Sequence, residues 1–296
     1  MSRTTPPQPF DVTAFFPQLA PLARTATRLH PRAGSPTRHD SSVGGPLLWP
    51  ADEPWPYCAG PHEWDQVNGP SSPQDVREQR RIQTAAADRS RGNPRGVEYT
   101  PEEKAVLARI YAGRPWPEGP IAMVPVAQLY RRDVPSLARP GGTDADLLQV
   151  LWCPFDHPEH PRTALFWRSA DAVTDVLAAP PEPPAVQISD YVPAPSLLSP
   201  EQVTEYPHFM ELDKELREQL ADWERWQAAG PAVDDAYAVA PQEFYKHKLS
   251  LAPGWKTGGW SRWGLTDPMP RDCSGYGLQL HVCPAATDHP HLELIQ

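Results

Sequence analysis

Forty prolines are scattered through 296 residues, singly or in short clusters such as Pro180-Pro181-Glu182-Pro183-Pro184, and they constrain this chain more than any other feature. Proline removes a backbone donor, breaks helix interiors and is kept out of central strands. The chain is therefore expected to build short strands, many turns and long irregular connections. With 40% hydrophobic and 22% charged residues it still has the composition of a folded protein. Its length allows one large core or two modest ones. Eleven tryptophans supply much of the apolar surface such cores need.

A net charge of −10 argues against nucleic acid or an anionic membrane as partner, because phosphate attraction requires a positive surface. No apolar run approaches the roughly 20 residues that cross a bilayer. Met1-Ser-Arg-Thr-Thr-Pro-Pro7 lacks the apolar segment of a signal peptide, so a cytoplasmic location is expected. Cys58, Cys153, Cys273 and Cys283 lie far apart, and disulfides are not expected in that setting.

Residues 1 to about 9 read as a disordered tail, followed by a short helical stretch from Asp11 and a strand over Ala26–Pro31. Ser72-Pro73 with Asp75 starts a helix to about Ser90, rich in arginine (Arg77, Arg80, Arg81, Arg89). Thr100-Pro101-Glu102-Glu103 has the form of a capping box opening a second helix to about Ala112. Residues 71–118 thus read as an inserted helical hairpin, its arginines a solvated face or a surface for an acidic partner. Strands are expected over Ile121–Tyr130, Asp146–Cys153 and Thr163–Arg168. Phe209, Leu212, Leu216, Leu220, Trp223 and Trp226 recur at helical spacing across Pro207–Ala228 and predict one amphipathic helix.

Leu148-Gln-Val-Leu-Trp-Cys-Pro154 matches Leu278-Gln-Leu-His-Val-Cys-Pro284 in leucine, glutamine, cysteine and proline, and Asp-His-Pro follows each. Gly44-Gly45 leads through Trp49 to Pro54-Trp-Pro56, as Gly258-Gly259 leads through Trp263 to Pro268-Met-Pro270. Two matched pairs in the same order point to a duplicated unit. The interval from Gly-Gly to Leu-Gln is 104 residues in the first copy (44 to 148) and 20 in the second (258 to 278), so the second is abbreviated. The expected fold is α+β, a duplicated unit with mixed, mostly antiparallel sheets and an inserted helical hairpin. Its expected boundaries are residues 1–23 for a tail and short helix and 24–296 for a single duplicated domain, the first copy about 24–200 and the second about 201–296. An abbreviated copy leaves edge strands that dimerisation could cover.

Ser41-Ser-Val-Gly-Gly-Pro-Leu-Leu-Trp-Pro50, Gln128-Leu-Tyr-Arg-Arg-Asp-Val-Pro135, Asp146-Leu-Leu-Gln-Val-Leu-Trp-Cys-Pro154 and Lys256-Thr-Gly-Gly-Trp-Ser-Arg-Trp-Gly-Leu-Thr-Asp-Pro268 resemble the YwqG-like family of uncharacterised bacterial proteins, in its actinobacterial variant. The resemblance implies a duplicated α+β fold and brings no catalytic residues with it. Such relatives carry Cys-x-x-Cys-Gly near the position of Cys273. Here Cys273 is followed by Ser-Gly-Tyr, and the second cysteine is absent.

No phosphate loop occurs, and no pair of carboxylates can be assigned roles from spacing. Two readings remain. In the first, the chain is a protein- or peptide-binding module without catalysis. Trp49, Trp55, Trp260 and Trp263 line an aromatic groove, and Lys256 and Arg262 supply charge. In the second it binds zinc or is a metal-dependent enzyme. Cys153, His157 and His160 form one Cys/His cluster and Cys283, His289 and His291 another, and Cys153, His157, Cys283 and His289 together would make a tetrahedral set across the repeat.

Overall fold

A computed structural model describes residues 5–63, 69–93, 96–137, 141, 144–230, 233, 235–262, 277–286 and 289–295. The fold is α+β. Its strands are β1 (Arg24–Arg28), β2 (Arg32–Ala33), β3 (Ser42–Val43), β4 (Tyr57–Cys58), β5 (Ile121–Ala122), β6 (Val124–Tyr130), β7 (Leu147–Trp152), β8 (Thr163–Arg168), β9 (Ser196–Leu197), β10 (Glu201–Glu205), β11 (Lys256–Gly258), β12 (Leu278–His281) and β13 (Leu292–Ile295). Most are as short as the prolines require. Among the described residues no helix is long and apolar enough to cross a membrane.

The chain forms two compact units, and they are not successive halves. The sheet unit comprises Ala33–Leu129 and Ala145–Ser196; the composite unit comprises Met1–Arg32, Tyr130–Asp144 and Leu197–Gln296. The expected boundary near residue 200 is thus corrected by strand pairing. β1 lies antiparallel between β10 and β11, with Arg24 opposite Glu205 and Ala26 opposite both Val203 and Gly258, which ties this N-terminal strand to the C-terminal segments. The expected tail is also held from Thr5 onward. Thr5 donates to the Glu201 carboxylate and Gln8 to the Leu249 carbonyl.

The sheet unit is built on the order β2-β9-β3-β6-β7-β8, with β4 and β5 as a separate antiparallel pair. Gly44 follows β3 with φ +61°, and a Cβ there would stand 2.5 Å from the Pro193 carbonyl oxygen, so this turn needs glycine. The helical insertion forms as expected: α1 (Pro73–Arg89) is capped by Ser72, and α2 (Pro101–Tyr111) by the reciprocal Thr100–Glu103 box. Its arginines are spoken for inside the unit. Arg77 forms a two-pronged pair with Glu182, Arg80 donates to the carbonyls of Val192 and Ser189, and Arg89 pairs with Glu103.

Asp75 locks the insertion. It accepts from Ser72, Arg109 and Arg114 at 2.8–2.9 Å. Burial pushes its carboxyl up, but these three donors outweigh burial and hold it at about 2, below the ordinary 3.8. A depressed acid stabilises fully above its unfolded value and loses that contribution as pH falls through its folded value. The amide protection factors of α1 and α2, corrected for intrinsic exchange, should therefore fall between about pH 4 and pH 2, and Asp75→Asn should already lower them at pH 7.

In the composite unit the predicted 207–228 helix is two helices. Asp213 caps α3 (Lys214–Ala221); Asp222, extended at φ −90° and ψ 106°, caps α4 (Trp223–Ala229) and breaks the run between them. Aspartate competes with helix hydrogen bonds by bonding nearby amides, and here it starts a new helix instead of continuing the old one. The stripe keeps its role, since Leu212, Leu216, Leu220 and Trp226 are buried with Phe16, Phe244 of α5 (Pro241–Phe244) and Tyr245.

One contact recurs at matched positions of the two repeats. In the sheet unit Gln149 of β7 donates its amide to the Leu48 carbonyl at 2.9 Å. In the composite unit Gln279 of β12 donates to the Arg262 carbonyl at 2.7 Å. Leu48 and Arg262 each lie four residues past the first glycine of their Gly-Gly pair. β7 and β12 each form an antiparallel hairpin with the strand that follows, β8 and β13.

Candidate metal centre

Two loops of the sheet unit carry the same spacing, Cys-x3-His. Cys58 ends β4, fixed opposite Ile121 of β5, and the chain turns through Gly60-Pro61 to bring back His62. Cys153 follows β7 directly, its amide donating to the Arg162 carbonyl at 2.8 Å across the hairpin mouth, and His157 returns four residues later. The four ligand atoms all lie within 4.8 Å of one another. Sγ of Cys58 is 3.6 Å from Nε2 of His157, and Sγ of Cys153 is 3.3 Å from Nε2 of His62, so each cysteine faces the other loop's histidine. The two rings meet edge to face with centroids 5.0 Å apart.

The surroundings fix this geometry. The Glu63 amide donates to the Asp156 carbonyl at 2.9 Å, joining the loops backbone to backbone. Gln187 grips the second loop three times: its amide N–H bonds the Pro154 carbonyl, its side-chain carbonyl accepts from the Asp156 amide, and its side-chain NH2 donates to the Asp156 carboxylate. The Tyr191 hydroxyl donates to the other Asp156 oxygen. Burial, reinforced by that carboxylate, raises the Tyr191 hydroxyl and keeps it a donor. Phe155, Trp116, Trp55 and Met123 pack around the set, and Cys58, Cys153 and His157 are buried while His62 is half-buried.

The Cys153 thiol, the His157 and His62 rings and the Gly60 amide all bond the Cys58 sulfur and drive its thiol well below the ordinary cysteine value despite burial. Next to that charge, Cys153 is pushed up. A cation in the middle would ionise both. The donor set fits zinc: metal–sulfur and metal–nitrogen bonds of about 2.3 and about 2.0 Å make a tetrahedron with sulfur–nitrogen edges of about 3.5 Å, within about 0.2 Å of the two sulfur–nitrogen distances. Two thiolates neutralise a divalent ion, so no net charge is buried. Nδ1 of His157 is buried with no hydrogen-bond partner among the described residues. Weakly satisfied polar groups in a core are costly.

The sequence expectation thus divides. Cys153 and His157 lie in the cluster, but their partners are Cys58 and His62, not Cys283 and His289, and His160 lies outside it. Cys283 and His289 belong to the composite unit, where Sγ stands 3.2 Å from Nδ1. The signal overlooked in the sequence is that Cys58-Ala-Gly-Pro-His62 repeats the spacing of Cys153-Pro-Phe-Asp-His157.

The aromatic groove is corrected. Trp49 is 1% exposed and Trp55 7%, and they pack against each other at 4.9 Å with Phe166 on Trp49. Their indole N–H groups donate to the carbonyls of Glu53 and Met123, so both belong to the core, where their area is buried and their polar edge satisfied. Trp260 lies in the other unit, donating to the Leu22 carbonyl beneath the Arg24 guanidinium at 3.3 Å. The Lys256 ammonium is held by the fully buried Glu205 at 2.6 and 2.7 Å. Arg262 is exposed, its backbone paired to Gln279; Trp263 and Cys273 lie outside the described residues.

No known family profile matches the chain, and no curated protein matches it.

Proposed function

We propose that this chain is a zinc-binding protein whose metal is held by Cys58, His62, Cys153 and His157 and is structural. The observation that carries the reading is the convergence of two Cys-x3-His loops, their ligand atoms mutually within 4.8 Å in the core of the sheet unit. Catalytic zinc keeps one coordination position for water or substrate, whereas four protein ligands close the shell. The role of such a centre is to clamp the loop after β4 to the loop after β7, where proline-rich connections give little regular structure to do so. The resemblance to the YwqG-like family is compatible with this reading and supplies no reaction to set against it.

Protein purified without chelator or an affinity metal should contain about one zinc per chain by inductively coupled plasma mass spectrometry. Cys58→Ser and Cys153→Ser should each lose most of it, and Cys283→Ser should keep it. Metal-free wild type that also fails to take up added zinc would overturn the proposal.

A further inference from the structure

Cys283 is the described cysteine that stands outside the four-residue centre, and it has its own histidine. It sits just past β12, where the hairpin turns towards β13, and is partly exposed. Nδ1 of His289, on the returning arm, is 3.2 Å from its sulfur. The Ala285 and Ala286 amides point at the same sulfur, a small nest of N–H donors of the kind that holds anions. The Gly141 amide donates to the Pro284 carbonyl at 3.0 Å and steadies the residue after the cysteine. Among the described residues the other titratable groups of the hairpin are His281, His291 and Glu293, with His291 and Glu293 3.5 Å apart.

We propose that Cys283, paired with His289, is a nucleophilic cysteine that a small hydroperoxide oxidises once, to the sulfenic acid. An imidazole beside a partly exposed sulfur, with backbone amides turned towards it, is the arrangement that makes cysteine nucleophilic. The Ala285 amide, then His289 and the Ala286 amide, lower its thiol below the ordinary value. The sulfur attacks one peroxide oxygen. An S–O bond forms, the O–O bond breaks, and the departing oxygen takes the proton of the His289 imidazolium and leaves as water or an alcohol. The sulfur is oxidised by two electrons to a sulfenic acid, and the peroxide is reduced by the same two. The buried Cys58 and Cys153 are outside this chemistry, so the proposal does not depend on the zinc reading.

The test is the rate of iodoacetamide labelling at each cysteine of the native chain, read by peptide mass spectrometry at pH 6 and pH 8. A thiol of ordinary pKa near 8.5 loses about 80-fold in rate between these values. Cys283 should lose clearly less than that, and His289→Ala should steepen its dependence. Hydrogen peroxide followed by dimedone should tag Cys283, and the tag should vanish in Cys283→Ser. An ordinary pH dependence in wild type would overturn the proposal. So would protection of Cys283 that only a chelator lifts, because that would make the pair a metal ligand instead.

Discussion

Stripping zinc from the loaded chain with a tight chelator should lower the thermal midpoint of the sheet unit by about 8–16 °C. The magnitude follows from mass action. A ligand at a thousand times its dissociation constant stabilises the state it binds by about 4 kcal/mol, and a domain of this size shifts about 2–4 °C for each kcal/mol. The loss should be largest around the Cys58–His62 and Cys153–His157 loops, which are otherwise joined backbone to backbone by the bond between Glu63 and Asp156. Cys153→Ser should reproduce the chelated midpoint and show no further change on chelation. Acidification should release the metal as protons compete for both thiolates, so the midpoint gain from zinc shrinks as pH falls. Differential scanning fluorimetry across a chelator series reads all of this.

Trp49→Ala should cost about 3–5 kcal/mol of unfolding free energy, the usual range for truncating a buried large aromatic. Trp49 packs on Trp55 and Phe166, lies under the Arg168 guanidinium at 4.4 Å and donates to the Glu53 carbonyl, so its removal opens a void at a crowded point of the core. Trp260→Ala should cost no more than about 1–2 kcal/mol, because that ring is half-buried and makes one hydrogen bond and one cation contact. Urea midpoints separate the two. A Trp49→Ala chain as stable as wild type would return Trp49 to the role of a surface anchor.

What the sequence disclosed is uneven for physical reasons. Local signals held well. The Thr100–Glu103 box and the Ser72 cap act over one helical turn, and both helices of the insertion begin where those residues stand. β7 and β8 lie where the apolar runs put them. The 207–228 stripe was legible as a core face but not as two helices, since periodicity is blind to the cap that Asp222 makes inside it. The pairing of β1 with β10 and β11 depends on contacts some 180 to 230 residues apart, which no local pattern encodes. The metal cluster was half legible. Cys153 and His157 stood out because the repeat drew attention to them, and the repeat then pointed to Cys283 and His289 as partners. Cys58 and His62 are separated from Cys153 by the whole helical insertion, and the pairing of β4 with β5 together with the Glu63–Asp156 bond brings that loop back. The tryptophans misled because a Trp-Pro turn looks the same in sequence whether its ring faces a groove or the core.

Extended X-ray absorption at the zinc edge of the purified, zinc-loaded chain tests the central claim most directly. The predicted first shell is two sulfurs at about 2.3 Å and two imidazole nitrogens at about 2.0 Å, with the sulfur shell lost in a Cys58→Ser, Cys153→Ser double variant. A shell of nitrogen and oxygen alone, or a sulfur shell that survives in that variant, would contradict it.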